Sequence, residues 1–165
     1  RGVFDVPHHT QSAGSVLLPT AGRGSEKGTP FVRLAAGSGL RGLTVWYPEQ
    51  NLAAIVAYPW TVQSLGPRCW VVDVTIGNAY QGVDFWSHPS DGHVIRYVAG
   101  GYLRRGVFVS KSAGAGWVED IQMNPHYIFR LPTGGLPHPD YGEPFGQTID
   151  YQEAHLDGIV SVDAP

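Results

Sequence analysis

Asp84 and Trp86 stand two residues apart in the run VDFW (83–86), with Gln63 in an equivalent run, WTVQ (60–63). A carboxylate beside an exposed indole is chemistry suited to a sugar: the ring stacks on the C–H face, and the acid bonds hydroxyls or transfers a proton. The competing reading is structural, with Asp84 supporting a turn and Trp86 packing beneath a loop. Tyr47, Glu49 and Gln50 follow in WYPEQ, and Tyr58, Pro59 and Trp60 come soon after. Gathered near the end of a strand, these aromatics either line a groove or fill corners of the fold. Asp73 and Asp120 form a third candidate, a pair of carboxyls for glycoside hydrolysis, which requires them ~5 to 9.5 Å apart. Arg96 is expected to lie between them, where a cation lowers both carboxyl pKa values and leaves no proton donor, so this pair reads as a surface charge ladder.

Histidine does not suggest a metal site. His8 and His9 are adjacent and face opposite ways on an extended strand, and His126, His138 and His155 lack the i, i+4 spacing of a helix-borne zinc site. Calcium held by Asp or Glu oxygens stays open, since it needs no fixed motif. The one cysteine, Cys69, has no partner for an internal disulfide and reads as a small buried side chain.

These side chains need a scaffold, and the scaffold is β. No window of 12 or more residues keeps apolar spacing at 3 and 4, and Gly or Pro interrupts nearly every helical candidate. Strands are predicted at Phe31–Leu34, Leu43–Tyr47, Val71–Ile76, Gly82–Trp86, Val94–Val98, Gly106–Ser110 and Val118–Met123, where β-branched and aromatic residues cluster. Two ladders repeat. In the first, 40–45 aligns with 71–76, 94–99 and 118–123, at steps of 31, 23 and 24 residues. In the second, 31–34 aligns with 60–63, 83–86 and 107–110, at steps of 29, 23 and 24. Units of ~23 residues are too short for a propeller blade of about 40 to 45 and fit a parallel β-helix of about four rungs. Its expected inward columns are Leu43–Val74–Tyr97–Ile121 and Val45–Ile76–Ala99–Met123, with Gly42, Asp73, Arg96 and Asp120 outward. In the second ladder Phe31, Trp60, Val83 and Val107 point inward, followed by Val62, Phe85 and Val109, and Arg33 interrupts that column.

The 165 residues make one domain, long enough to bury roughly 70% of the unfolded surface. Residues 1–29 are an irregular lead-in, 30–130 carry the rungs, and 131–165 hold a Pro-rich loop before a last strand at Gly158–Val162. The chain is 42% hydrophobic and 15% charged, which excludes a charged disordered tail or a coiled coil. A net charge of −3 with scattered basic residues offers no footprint for nucleic acid. No run reaches ~18 uninterrupted apolar residues, and no signal peptide opens the chain, so no membrane insertion is expected. Open rung ends expose strand edges, so caps, missing rungs or self-association through those ends are expected to cover them.

The motifs RGVFDVPHH (1–9), LRGLTVWYPEQ (40–50), YPWTVQ (58–63), VDVTIGNAYQGVDF (72–85) and RRGVFVSK (104–111) resemble the pectate-lyase-like superfamily of right-handed parallel β-helix proteins, particularly large secreted bacterial members. The opening RGV resembles the end of a rung, which implies an excerpt of a longer β-helix or a member that has lost its N-terminal turns. The resemblance implies an extracellular or cell-surface, carbohydrate-active protein, a polysaccharide lyase or glycoside hydrolase. It also singles out Arg104 and Arg105, because lyases of this kind use an arginine to remove the proton alpha to a uronate carboxylate, often with Ca2+. Their alternative role is in salt bridges to Asp84 or Glu119. The expected catalytic group is thus Asp84, Arg104 and Arg105, with Trp86, Gln63, Tyr47 and Glu49 binding substrate. A module without catalysis, which builds a surface assembly or binds glycan, is the alternative.

Overall fold

The computed structural model describes residues 15–50 and 54–122, together with the backbone of Met123 and of 158–162. His8, His9, His126, His138, His155 and the Pro-rich loop lie outside the described residues. Among those described there is no helix, and every strand pairing is parallel. The strands are β1 (Val16–Leu17), β2 (Val32–Leu34), β3 (Gly39–Trp46), β4 (Trp60–Ser64), β5 (Trp70–Phe85), β6 (Val94–Val109), β7 (Trp117–Met123) and β8 (Gly158–Val162). They form one curled sheet. β1 lies within the segment read as an irregular lead-in, and β8 falls where the sequence places a last strand.

Two ladders run through this sheet, joined by its longest strands. The first halves of β5 and β6 stack between β3 and β7; their second halves stack between β4 and β8. The sequence predicts two separate strands in each of these 16-residue stretches. The backbone instead stays in the ladder and bends, with Asn78 at φ 55° and register shifts between Ile76 and Gln81. Tyr102 fills this bend because two glycines make room. A β-carbon at Gly82 would stand 2.5 Å from its ring, and one at Gly100 would stand 2.7 Å from it.

The first-ladder register corrects the expected alignment on one rung. Val71 pairs with Ile95 and Val74 with Val98, and these pair with Val118 and Ile121. The inward column is therefore Leu43–Val74–Val98–Ile121, with Val98 in the place expected for Tyr97. In the next column Val45 and Ile76 precede Gly100, which stands in the place expected for Ala99 and pairs through its backbone with Met123. Tyr97 is half exposed. The cause is a backbone bend that strict alternation does not anticipate. Gly42, Asp73, Tyr97 and Asp120 occupy the same step on successive rungs, and all have positive φ, between 51° and 69°. The bend adds one outward residue, so inward side chains on either side of it are three apart: Leu40 and Leu43, Val71 and Val74, Ile95 and Val98. Glycine is at ease in that conformation, whereas a side chain such as that of Tyr97 costs about 1–2 kcal/mol there.

The second ladder shows a similar slip on its early rungs. Val32 pairs with Val62, Val62 with Val83 and Val83 with Val107, so Phe31 and Trp60 do not belong to that inward column. Phe31 is exposed, and Arg33 is an ordinary outward residue in line with Gln63, Asp84 and Phe108. The core between the ladders holds Val45, Val62, Val71, Val74, Ile76, Val83, Phe85, Ile95, Val98 and Val107. Full burial contributes about 1.5–3 kcal/mol for each large aliphatic side chain. Cys69 is buried, with its thiol directed at the carbonyls of Ala35 and Gly66.

Tyr47 also belongs to this core, 4.8 Å from Tyr58 between ring centroids. Thr61 gives its hydroxyl proton to the Gln81 carbonyl at 2.6 Å, so the Tyr47 hydroxyl is the donor in its 2.9 Å bond to Thr61. Burial pushes this phenol up to about 12 from its ordinary 10.0. A raised folded-state pKa means that the stabilisation is complete below about pH 10 and is lost as pH rises towards 12. Tyr47→Phe is therefore expected to destabilise by about 1 kcal/mol at neutral pH. Chemical denaturation from pH 7 to 11.5 should show that gap closing above pH 10, because only the tyrosine protein can gain from ionising when it unfolds.

Candidate functional site

The outer face of the second ladder collects most of the residues singled out by the sequence. Trp60, Gln81 and Arg105 stack on successive rungs, and Arg33, Gln63, Asp84 and Phe108 form a second outward column. Parallel pairing sets neighbouring members of each column ~4.8 Å apart. The segment Glu26–Gly28 crosses this face and borders an open pocket of about 370 Å3, lined also by Pro30, Trp60, Gln63, Gln81 and Arg105.

Gln81 anchors this loop. Its side-chain amide donates to the carbonyls of Glu26 at 2.9 Å and Tyr58 at 3.0 Å, while its oxygen accepts from the Arg105 guanidinium at 3.0 Å. Arg104 reaches the same loop, donating to the Tyr80 hydroxyl at 3.1 Å and facing the Glu26 carboxylate at 3.6 Å. Tyr80 in turn donates to Glu26 at 3.4 Å. Arg104 thus engages the Glu26 loop directly and Arg105 reaches it only through Gln81, whereas the sequence offers Asp84 or Glu119 as their ion partners.

Asp84 is fully buried, and both of its oxygens are engaged. One accepts the main-chain N–H groups of Trp86 and Ser87, each at 2.9 Å; the other accepts the Gln63 amide at 2.7 Å. This is an aspartate turn at the end of β5, in which the side chain replaces a backbone acceptor. Trp86 is 41% exposed and continues an aromatic strip with Phe108 and Trp60, at centroid distances of 6.1 and 5.6 Å. Tyr47 is turned into the core, away from this face, and Glu49 is exposed beyond the end of β3. Burial, reinforced by the Glu49 charge, raises the Tyr58 pKa.

The carboxyl pair Asp73 and Asp120 is separated by Tyr97 and not by Arg96. Asp73 is held by Arg41 at 3.0 Å, and Arg96 turns to Glu119 at 3.5 Å. Among the described residues no three His, Cys, Asp or Glu side chains converge to hold a metal. No helix among them is long and apolar enough to cross a membrane.

Glu26, Lys27, Gln81 and Phe108 join this face, beyond the residues that the sequence marks as functional. Phe108 and Gln81 were reachable from the repeat, since they share columns with Asp84 and Arg105. Glu26 was not, because only the folded loop brings it next to residues more than 50 positions away. Set beside known proteins, the chain matches no family model, no curated protein and no solved structure.

Proposed function

We propose that this chain is part of an extracellular right-handed parallel β-helix of the pectate-lyase-like kind, and that its second-ladder face holds an acidic polysaccharide without cleaving it. The observation that carries this reading is the charge on that face. Arg33 and Arg105 stand on the ladder and Lys27 on the loop, while the nearest carboxylates are already committed, Asp84 to three hydrogen bonds and Glu26 to Arg104. A guanidinium presents a planar fork suited to a uronate carboxylate, and the exposed Trp86 supplies a stacking surface for the pyranose. The same geometry disfavours the lyase and hydrolase readings. A buried carboxylate bonded on both oxygens is poorly placed to exchange protons with a substrate, and both arginines are engaged in hydrogen bonds, Arg104 to Tyr80 and Arg105 to Gln81.

The test is isothermal titration against uronate-bearing and neutral polysaccharides, with and without Ca2+, followed by assay of the same mixtures for products. Binding is expected for the uronate chains, weakened roughly tenfold in Arg105→Ala and in Trp86→Ala. Unsaturated products absorbing in the ultraviolet, or new reducing ends, would replace this reading with a catalytic one. No binding by any glycan would end it.

A second reading, self-association through rung ends, is favoured by one observation. β7 pairs only with β6 among the described strands, and Trp117 on it is 58% exposed. An unpaired edge with an exposed indole is a template for a further strand. Light scattering checks this: mass that rises with concentration and falls in Trp117→Lys supports it, whereas a monomer at all concentrations rules it out.

A further inference from the structure

The column of left-handed residues that bends the first ladder carries an aromatic side chain on one rung only. Gly42, Asp73 and Asp120 have φ of 69°, 53° and 53°, and Tyr97 has 51°. Glycine adopts this conformation freely and aspartate tolerates it, but a bulky residue there is an outlier of the kind that clusters at binding sites. Burial does not offset the strain, because Tyr97 is 50% exposed. Tyr97 lines a cavity of about 610 Å3, together with Asp73, Asp120 and Gln122. That volume lies within the roughly 300–1,000 Å3 of small-molecule sites.

The charges around this ring cancel except for one. Asp73 pairs with Arg41 and Glu119 pairs with Arg96. The Arg96 guanidinium also lies 5.1 Å from the Tyr97 ring centroid, so one side of the ring is occupied by a cation. Asp120 is exposed and has no ion-pair partner among the described residues. An exposed ring beside one uncompensated carboxylate repels a uronate and suits a sugar bearing a positive charge.

We infer that this bend is a second saccharide site, separate from the second-ladder face, and that its ligand is an amino sugar. The pyranose C–H face lies on Tyr97, and the protonated amine bonds Asp120. A neutral sugar makes the stacking contact but leaves the Asp120 charge unanswered, which is why the amine identifies the class. The site does not depend on the reading of the second-ladder face.

Titration calorimetry with a glucosamine oligosaccharide at pH 6 tests the assignment, with its N-acetylated counterpart and a uronate oligomer as comparisons. Tyr97→Asn and Asp120→Asn both keep a residue that tolerates the left-handed backbone, and thermal unfolding confirms that each variant is folded. The glucosamine oligomer is expected to bind, roughly tenfold more weakly in each variant. Asp120→Asn is also expected to abolish most of the salt dependence. The assignment is overturned if the glucosamine oligomer does not bind, if the N-acetylated oligomer binds equally well, or if binding survives in both asparagine variants.

Discussion

Asp84→Ala is expected to destabilise the protein by about 3 kcal/mol, while Asp84→Asn loses only about 1. The alanine variant leaves the N–H groups of Trp86 and Ser87 and the Gln63 amide without their acceptor in a buried turn. Asparagine keeps an oxygen for the two main-chain donors, and Gln63 restores the remaining bond by turning its amide so that its own oxygen accepts. Urea denaturation of the three proteins measures the difference, and an unchanged slope shows that the comparison is of stability alone. If Asp84→Ala unfolds like the parent protein and instead abolishes turnover of a polysaccharide, the carboxylate is chemical and the turn assignment is wrong. The experiment therefore separates the two roles that the VDFW run leaves open.

Gly82→Ala is expected to be equally severe, at about 3 kcal/mol, because the new methyl group meets backbone as well as side chain. Its β-carbon would stand 2.5 Å from the Tyr102 ring and 2.7 Å from the Gly106 carbonyl oxygen. Moving the ring relieves one contact; the other requires the β5 and β6 backbones to separate, and that ladder joins the two halves of the sheet. Gly37→Ala is the appropriate control. Nothing lies within 4 Å of its β-carbon, but its φ of 75° is one that alanine resists, so a loss of about 1 kcal/mol is expected from conformation alone. Gly82 itself is not left-handed, so a loss there no larger than at Gly37 would show that the packing around Tyr102 yields to the methyl group and that the steric account is wrong. A Gly82→Ala, Tyr102→Leu double variant that recovers part of the loss would assign that part to the ring.

These two sites also bear on function. The outer column that contains Gln63 and Asp84 is positioned by the inner residues Val62, Val83 and Phe85 on the same strands, because alternate side chains leave opposite faces. A shift of β5 against β6 at Gly82 would move Gln81 relative to Arg105 and open the Glu26 loop. If this face holds a polysaccharide as proposed, weaker binding in Gly82→Ala would then follow from lost geometry, with no contact to the ligand removed.

The all-β character and the parallel stacking were legible in the chain itself. Apolar β-branched residues recur at a period of about 24 residues, too short for a propeller blade and too regular for unrelated hairpins. Val71 with Leu40, Val107 with Val83 and the strand at Gly158–Val162 were all placed correctly on that basis. Register on the other rungs was not legible, and in the first ladder the reason is conformational. Period-2 alternation assumes an extended backbone, whereas one left-handed residue per rung shifts the inward set, and three of those four residues, Asp73, Tyr97 and Asp120, are not glycine. A single slip placed Tyr97 in the core and Arg96 between two aspartates, which reversed the exposure of the one and gave the other the wrong partners. The candidate site was divided in the same way. Asp84, Gln63, Trp86 and Arg105 could be grouped by spacing, since the repeat stacks them on one face. The burial of Asp84, the turn of Tyr47 into the core and the closure of that face by Glu26 are long-range outcomes of packing and hydrogen bonding, and they exist only once the ladders have formed.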